Sequence, residues 1–450
     1  MDSIDYEMKK FPNAFVIILG VIVFAWILTF IIPQGVYERE LNPETGLEEV
    51  VNDSYKTIEG ENLSAFDLLL AVPKGIIGRA DIIVLILLLG GCFYVIEKTG
   101  ALTQGLSKLV SLLKGKEVLA LIIVSAFFTA GGATIGLQEE VIALTPMLLL
   151  FGRSLGYNTY TTIYMSYGSS VLGSSFSPSN PFAVMIAQKV AGLPLLSGSG
   201  LRLVFLVIAF IIWMLFIIRY ARKNSVSKTA PNLNGKVSNR SKIILGLLAL
   251  TFGTVTYGLL KLGWGFEEIS ACFFALGIVS GLLGKLGINQ TGEAYVSGFK
   301  EMIFASVIIG LANSITIVLE QGVIIDSIVY GLFGPLKNIQ PTFSAVLMML
   351  SHVVLHVPIP SYSGQAVLTM PILVPLSDLI GLSRQTCVLA YQYGAVMADF
   401  IIPTNGSLMA VLAISGISYN KWLKFAVKPM ALMLLLATIA IILAVATGYQ

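Results

Sequence analysis

Seven stretches of this chain are apolar for about 18 residues or more, at roughly 13–33, 80–97, 201–222, 242–262, 265–284, 301–320 and 425–447. Runs of that length suit helices crossing about 30 Å of hydrocarbon, where the backbone must satisfy its own hydrogen bonds. Composition agrees. Of 450 residues, 56% are hydrophobic and 12% charged, about half the charged share of a soluble domain, and the mean hydropathy is +0.85. The chain reads as an all-α polytopic membrane protein. Its first run, Phe15 to Ile32, has no small-residue cleavage site and reads as a retained helix rather than a signal peptide. The net charge of +3 gives no reason to expect nucleic acid. Cys92, Cys272 and Cys387 are sparse and far apart, and are expected as small buried residues without disulfide or metal.

Four further segments are apolar but interrupted. Residues 158–192 and 383–414 break in their middles, while 117–152 and 340–380 each read as two half-length helices joined by a polar tip. Arms of about 15 residues are too short to cross hydrocarbon, so re-entrant hairpins are expected. Lysine and arginine in short loops set the orientation. Segment 219–242 holds seven basic residues and no acid, so it is placed in the cytoplasm; the acidic loop 34–63 is placed outside. Nine crossings then satisfy the charges, with the N-terminus inside and the C-terminus outside. The first hairpin enters from the cytoplasm and the second from outside, as an inverted repeat requires.

Ordered sequence matches support that repeat. Glu97 matches Glu320 at a spacing of 223 residues. Pro146, Gly156, Tyr167 and Asn180 match Pro371, Gly381, Tyr393 and Asn405 at 225 or 226. The expected organisation is a first repeat over 1–222, a linker at 223–241, an added span at 242–262 and a second repeat over 263–450.

The tips at 131–140 and 357–365 and the breaks at 177–181 and 402–406 carry the expected chemistry. Broken helices expose N–H groups at positive dipole ends and C=O groups at negative ones, which suits a small charged solute. Acids at membrane depth are costly and point to function. Glu139 and Glu140 close the first tip, and Asp399 precedes Pro403. With Asn180, Ser363, Gly364, Gln365, Thr404 and Asn405 they form the candidate substrate or ion site; such acids suit a cationic substrate, a sodium ion or a proton. His352 and His356 fall four residues apart without a third ligand, so a packed, hydrogen-bonded pair is preferred to a metal or proton relay. The tyrosines at 160, 164, 167, 391 and 393 are read as packing. No phosphate-binding loop and no nucleophile–base pair is present in the sequence, so neither an ATP-driven pump nor an enzyme is expected.

At Val72–Gly75, Gly90–Leu102, Glu139–Glu140, Ser363–Pro371, Ser383–Gly394 and Ile402–Gly406 the chain resembles the DcuC-type carriers, within them the YfcC branch described as basic amino-acid antiporters. The resemblance covers nearly the whole chain. The first break is less regular than the Asn-Pro usual in the family, so Asn180 carries over more firmly than Ser177 or Ser179. Similarity to the wider ion-transporter superfamily implies a homodimer in a bacterial inner membrane. It also implies a mobile domain holding hairpins and broken helices, moving like an elevator. The leading expectation is an antiporter for arginine, ornithine or lysine. The alternative is a sodium- or proton-coupled carrier of C4-dicarboxylates or short-chain carboxylates. No arginine lies in the four interruptions to clamp a second carboxylate, which favours the first. A channel or receptor on this fold stays open; counterflow would separate them.

Overall fold

The computed structural model describes residues 14–42, 47–51, 53–112, 115–228, 237–258 and 262–449. The middle of the linker expected at 223–241 lies outside them, as do the edges of the runs expected at 13–33 and 242–262.

The first half runs α1 (Ala14–Ile31), α2 (Ala65–Ile77), α3 (Ala80–Lys98) and α4 (Ala101–Leu112), then α5 (Glu117–Ile135) and α6 (Glu139–Leu155). A broken helix follows: α7 (Thr159–Ile163), a π-turn at Tyr164–Gly168, α8 (Ser169–Ser175), a second π-turn at Pro181–Met185 and α9 (Ile186–Val190). Then comes α10 (Ser199–Lys223). After α11 (Asn239–Tyr257) and α12 (Phe266–Leu283) the order repeats. It continues with α13 (Gly287–Gln321), α14 (Ile325–Phe333), α15 (Pro341–Leu355), α16 (Tyr362–Leu379), broken α17 (Arg384–Ala398) and α18 (Gly406–Ile414), and α19 (Tyr419–Thr447). The protein is all-α and polytopic: among the described residues six helices, α3, α5, α10, α12, α13 and α19, are long and apolar enough to cross a membrane.

Several boundaries differ from the sequence reading. The acidic loop folds into two antiparallel strand pairs, β1 (Gly35–Val36) with β4 (Lys56–Thr57) and β2 (Arg39–Asn42) with β3 (Leu47–Val50). Arg39 ties this loop to Asp326 at 2.8 Å. The run expected at 301–320 begins fourteen residues earlier, because α13 carries polar turns before its apolar part and reaches 35 residues, about 52 Å. α2 escapes an 18-residue apolar filter because it has only 13 residues and contains Pro73; Ser64 and Asp67 close its start as a capping box. α5 has 19 residues, not about 15, because the helix continues through Gly131 and Gly132. Gly132 is required there: an added Cβ would lie 2.1 Å from the Ser170 carbonyl oxygen.

Two helix–tip–helix units organise the interior. α5 packs along α8, and α15 packs along α17. At the base of the first unit, Glu117 meets Lys228 at 2.6 Å and Gly156 accepts from the Val226 amide at 2.9 Å, so both of its ends lie beside the end of α10. At the base of the second, Arg384 donates to the Ala191 carbonyl at 3.1 Å and Gln385 to the Ser197 hydroxyl, beside the start of α10. The 25 residues of α10, about 38 Å, separate the two bases. The units thus approach from opposite ends and meet at their tips. There α6 and α18 face α3 and α13.

Candidate functional site

Only Gly136–Gln138 of the first tip is unwound, and Gly136 takes φ +68°, a left-handed conformation that favours glycine. The second tip is unwound over 356–361, where Pro358 and Pro360 cannot donate to a helix. Ser361 caps α16 through the Gly364 amide at 3.2 Å. Between the tips lies a cavity of about 360 Å³. Its walls come from both tips, from the second break and from Ile309, Ala312 and Asn313 on α13.

The two breaks do different work. The first is closed by the protein itself. Asn180 is fully buried; its carbonyl oxygen caps the following turn at the Phe182 and Ala183 amides, both at 2.9 Å, and its amide donates to the Gly132 carbonyl at 2.9 Å. Ser174 and Ser177 donate to the carbonyls of Gly132 and Ala133. Gln392 donates to the freed carbonyls of Ser175 and Ser177, both at 2.9 Å. The second break opens on the cavity. Asn405 caps α18 at the Leu408 amide (2.7 Å), while Trp422 and Tyr419 satisfy the Phe400 and Ile401 carbonyls from α19.

Of the nine expected site residues, Glu139, Glu140, Ser363, Asp399, Thr404 and Asn405 line the cavity. Asn180, Gly364 and Gln365 do not. Two lining atoms are buried without a hydrogen-bond partner among the described residues, Glu140 Oε2 and Thr404 Oγ1, and a buried polar group left bare is costly. Asp399 is the opposite case. His356 Nε2 lies 3.0 Å from Oδ1, which also accepts from Asn405; Oδ2 accepts from Gln138 at 3.0 Å and from the Tyr362 hydroxyl. Its charge is already compensated from both tips.

Sequence reasoning missed Arg79, Gln138 and Tyr362; Asn313, expected from the sequence to bond between helices, does so by donating to the Gly75 carbonyl at 3.1 Å. Arg79 sits at the short break between α2 and α3 and lines the cavity. It donates to Asn313 at 3.3 Å, and its terminal amino groups have no acceptor among the described residues. The absence of arginine from the four interruptions therefore does not leave the site without one. The expected tyrosine packing holds for Tyr164, stacked on Trp213 with centroids 4.8 Å apart, whereas Tyr167 donates to the Asp399 carbonyl at 3.1 Å. His352 and His356 do not bond each other; Gln365 bridges them at 2.8 and 2.6 Å.

A multi-pass helical protein whose broken helix and two tips bring a few charged and polar groups into a largely apolar cavity suits the passage of a small solute, and the comparisons place it among secondary transporters, not enzymes. The chain belongs to the DcuC family, described as C4-dicarboxylate anaerobic carrier, whose model matches residues 11–446. It is 29% identical to an uncharacterized protein of Haemophilus influenzae, over 98% of this chain and 99% of that one. It is 28% identical to the Escherichia coli K12 protein named "Putative basic amino acid antiporter YfcC", over 98% and 97%. Among solved structures, the Alcanivorax borkumensis YdaH transporter aligns over 97% of this chain and 99% of that one, with 15% identity and a TM-score of 0.46. Neisseria gonorrhoeae MtrF, titled as illuminating a class of antimetabolite efflux pumps, aligns over 97% and 96%, with 16% identity and a TM-score of 0.44.

Proposed function

We propose that this chain is a bacterial inner-membrane antiporter for a basic amino acid such as arginine, ornithine or lysine. One observation carries the reading: the same cavity is lined by Arg79, whose terminal amino groups have no acceptor among the described residues, and by Glu139 and Glu140, whose Oε2 has no partner among them. A basic amino acid presents one carboxylate and two cations, so the arginine takes the carboxylate and the acids take the cations. The cavity volume falls in the range of small-molecule sites, and the name of the Escherichia coli relative supports the substrate class. Elevator-like movement of two re-entrant units, within a homodimer, belongs to the same proposal.

Arg79 and the family's description also favour a second reading, an ion-coupled carrier of C4-dicarboxylates, with the acids holding sodium or a proton. Counterflow in proteoliposomes separates the two. Vesicles loaded with unlabelled lysine should accumulate labelled arginine, and succinate should neither exchange nor compete. Succinate exchange without arginine exchange would overturn the first reading in favour of the second, and flux without counterflow would indicate a channel.

A further inference from the structure

We infer that His356 and Asp399 share one exchangeable proton, and that this proton is the ion moved against the substrate. The coupling half rests on the cationic substrate proposed above; the proton assignment does not. The argument starts at Gln365. Its Nε2 lies 3.2 Å from the His352 carbonyl oxygen, which can only accept, so the amide is oriented with Oε1 toward His356 Nδ1 at 2.6 Å. That nitrogen must therefore donate. The other ring nitrogen, Nε2, faces Asp399 Oδ1 at 3.0 Å. Asp399 already accepts from Asn405, Gln138 and Tyr362, which leaves one lone pair of Oδ1 facing Nε2; two lone pairs do not meet at that distance, so one proton lies between them. The pair thus holds one proton, carried by His356 Nε2 or by Asp399 Oδ1.

His356 is wholly buried and Asp399 is 2% exposed. When this shared proton leaves by way of Asp399 to water in the cavity, a lone pair is left facing a carboxylate and the contact breaks. A buried charge without a partner is strongly unfavourable, so a cation entering the cavity that Asp399 lines takes over the compensation. Proton and cationic substrate then exclude each other, which is antiport. The surrounding groups are Glu139 and Glu140 on α6, Arg79 at the α2–α3 break, Tyr362 on α16, Tyr167 on the first broken helix, and Tyr391 on α17 beside the His352 ring. Gln138 and Tyr362 belong to opposite tips and both bond Asp399, so the protonation state is felt by both units.

The chain has two histidines, so histidine-selective ¹⁵N spectra of the intact protein, purified with a tag free of histidine, read both. One imidazole should show a proton on Nδ1 and an Nε2 bonded to a proton, its own or the carboxyl's, and that Nε2 bond should be absent in Asp399→Asn. The other should remain neutral with its proton on Nε2, because His352 Nδ1 accepts from Gln365. An Nε2 lone pair with no proton against it at any pH of the folded protein would overturn the proton assignment. In proteoliposomes, an inside-acid gradient should raise arginine uptake severalfold in the parent protein, and this ratio should fall to one in His356→Gln. A parent protein indifferent to the gradient overturns the coupling. Absence of any basic amino-acid transport overturns the substrate reading and the coupling with it, while the spectra still decide the proton pair.

Discussion

Gln138, from the first tip, donates its side-chain amide to the Tyr362 hydroxyl of the second tip over 2.8 Å, and both groups also donate to Asp399. The two tips are therefore held together through one carboxylate. Tyr362→Phe removes a donor from an ionised acceptor, a loss of about 1.5–3 kcal/mol, roughly a tenfold to hundredfold change in how often the tips are joined. Arginine counterflow should slow by about tenfold or more, with an unchanged gel-filtration profile. A rate within about twofold of the parent protein would show that the tips do not depend on this contact.

Much of this arrangement was legible in the sequence. Gly, Pro and Asn inside apolar runs located both tips and both breaks, because only breaks in the helical ladder call for those residues at membrane depth. Six of the nine expected residues line the cavity. What stayed hidden depends on tertiary contact. Arg79 follows a single glycine between two helices, and nothing local says that α13 brings Asn313 beside it. Nor does the matched spacing of Asn180 and Asn405 show that one is sealed against Gly132 while the other faces the cavity.

That difference makes a prediction. Asn180→Ala removes a cap worth about 0.5–2 kcal/mol and leaves the buried Gly132 carbonyl short of a donor, a further loss of about 1–3 kcal/mol. The variant should lose both thermal stability and transport, so its defect is structural. Unchanged melting with lost transport would instead place Asn180 in contact with the substrate.

Orientation is open to direct chemistry. Glu59 and Ser227 are exposed, on the acidic loop and beside the basic linker. In a background where Cys92, Cys272 and Cys387 are replaced, a membrane-impermeant thiol reagent should reach Glu59→Cys from outside and Ser227→Cys only after the membrane is opened. Labelling of both from the same side contradicts the charge-based topology.

The sharpest test divides the work among the charged residues. If Arg79 holds the α-carboxylate of arginine, Arg79→Gln should weaken arginine binding while sparing agmatine, which has the same guanidinium and no carboxylate. If Glu140 answers the side-chain cation, Glu140→Gln should lower affinity for arginine by roughly tenfold to a thousandfold. Citrulline, neutral at that end, should lose less. Glu140 is chosen over Asp399 because its Oε2 has no partner among the described residues, whereas Asp399 is occupied by four partners. Thermal-shift titrations of the purified protein with the three ligands give the ratios directly. Equal losses for arginine and agmatine in Arg79→Gln would mean that the arginine shapes the cavity without touching the carboxylate. A dicarboxylate carrier would show the reverse pattern in the same titration, with succinate binding abolished in Arg79→Gln and preserved in Glu140→Gln.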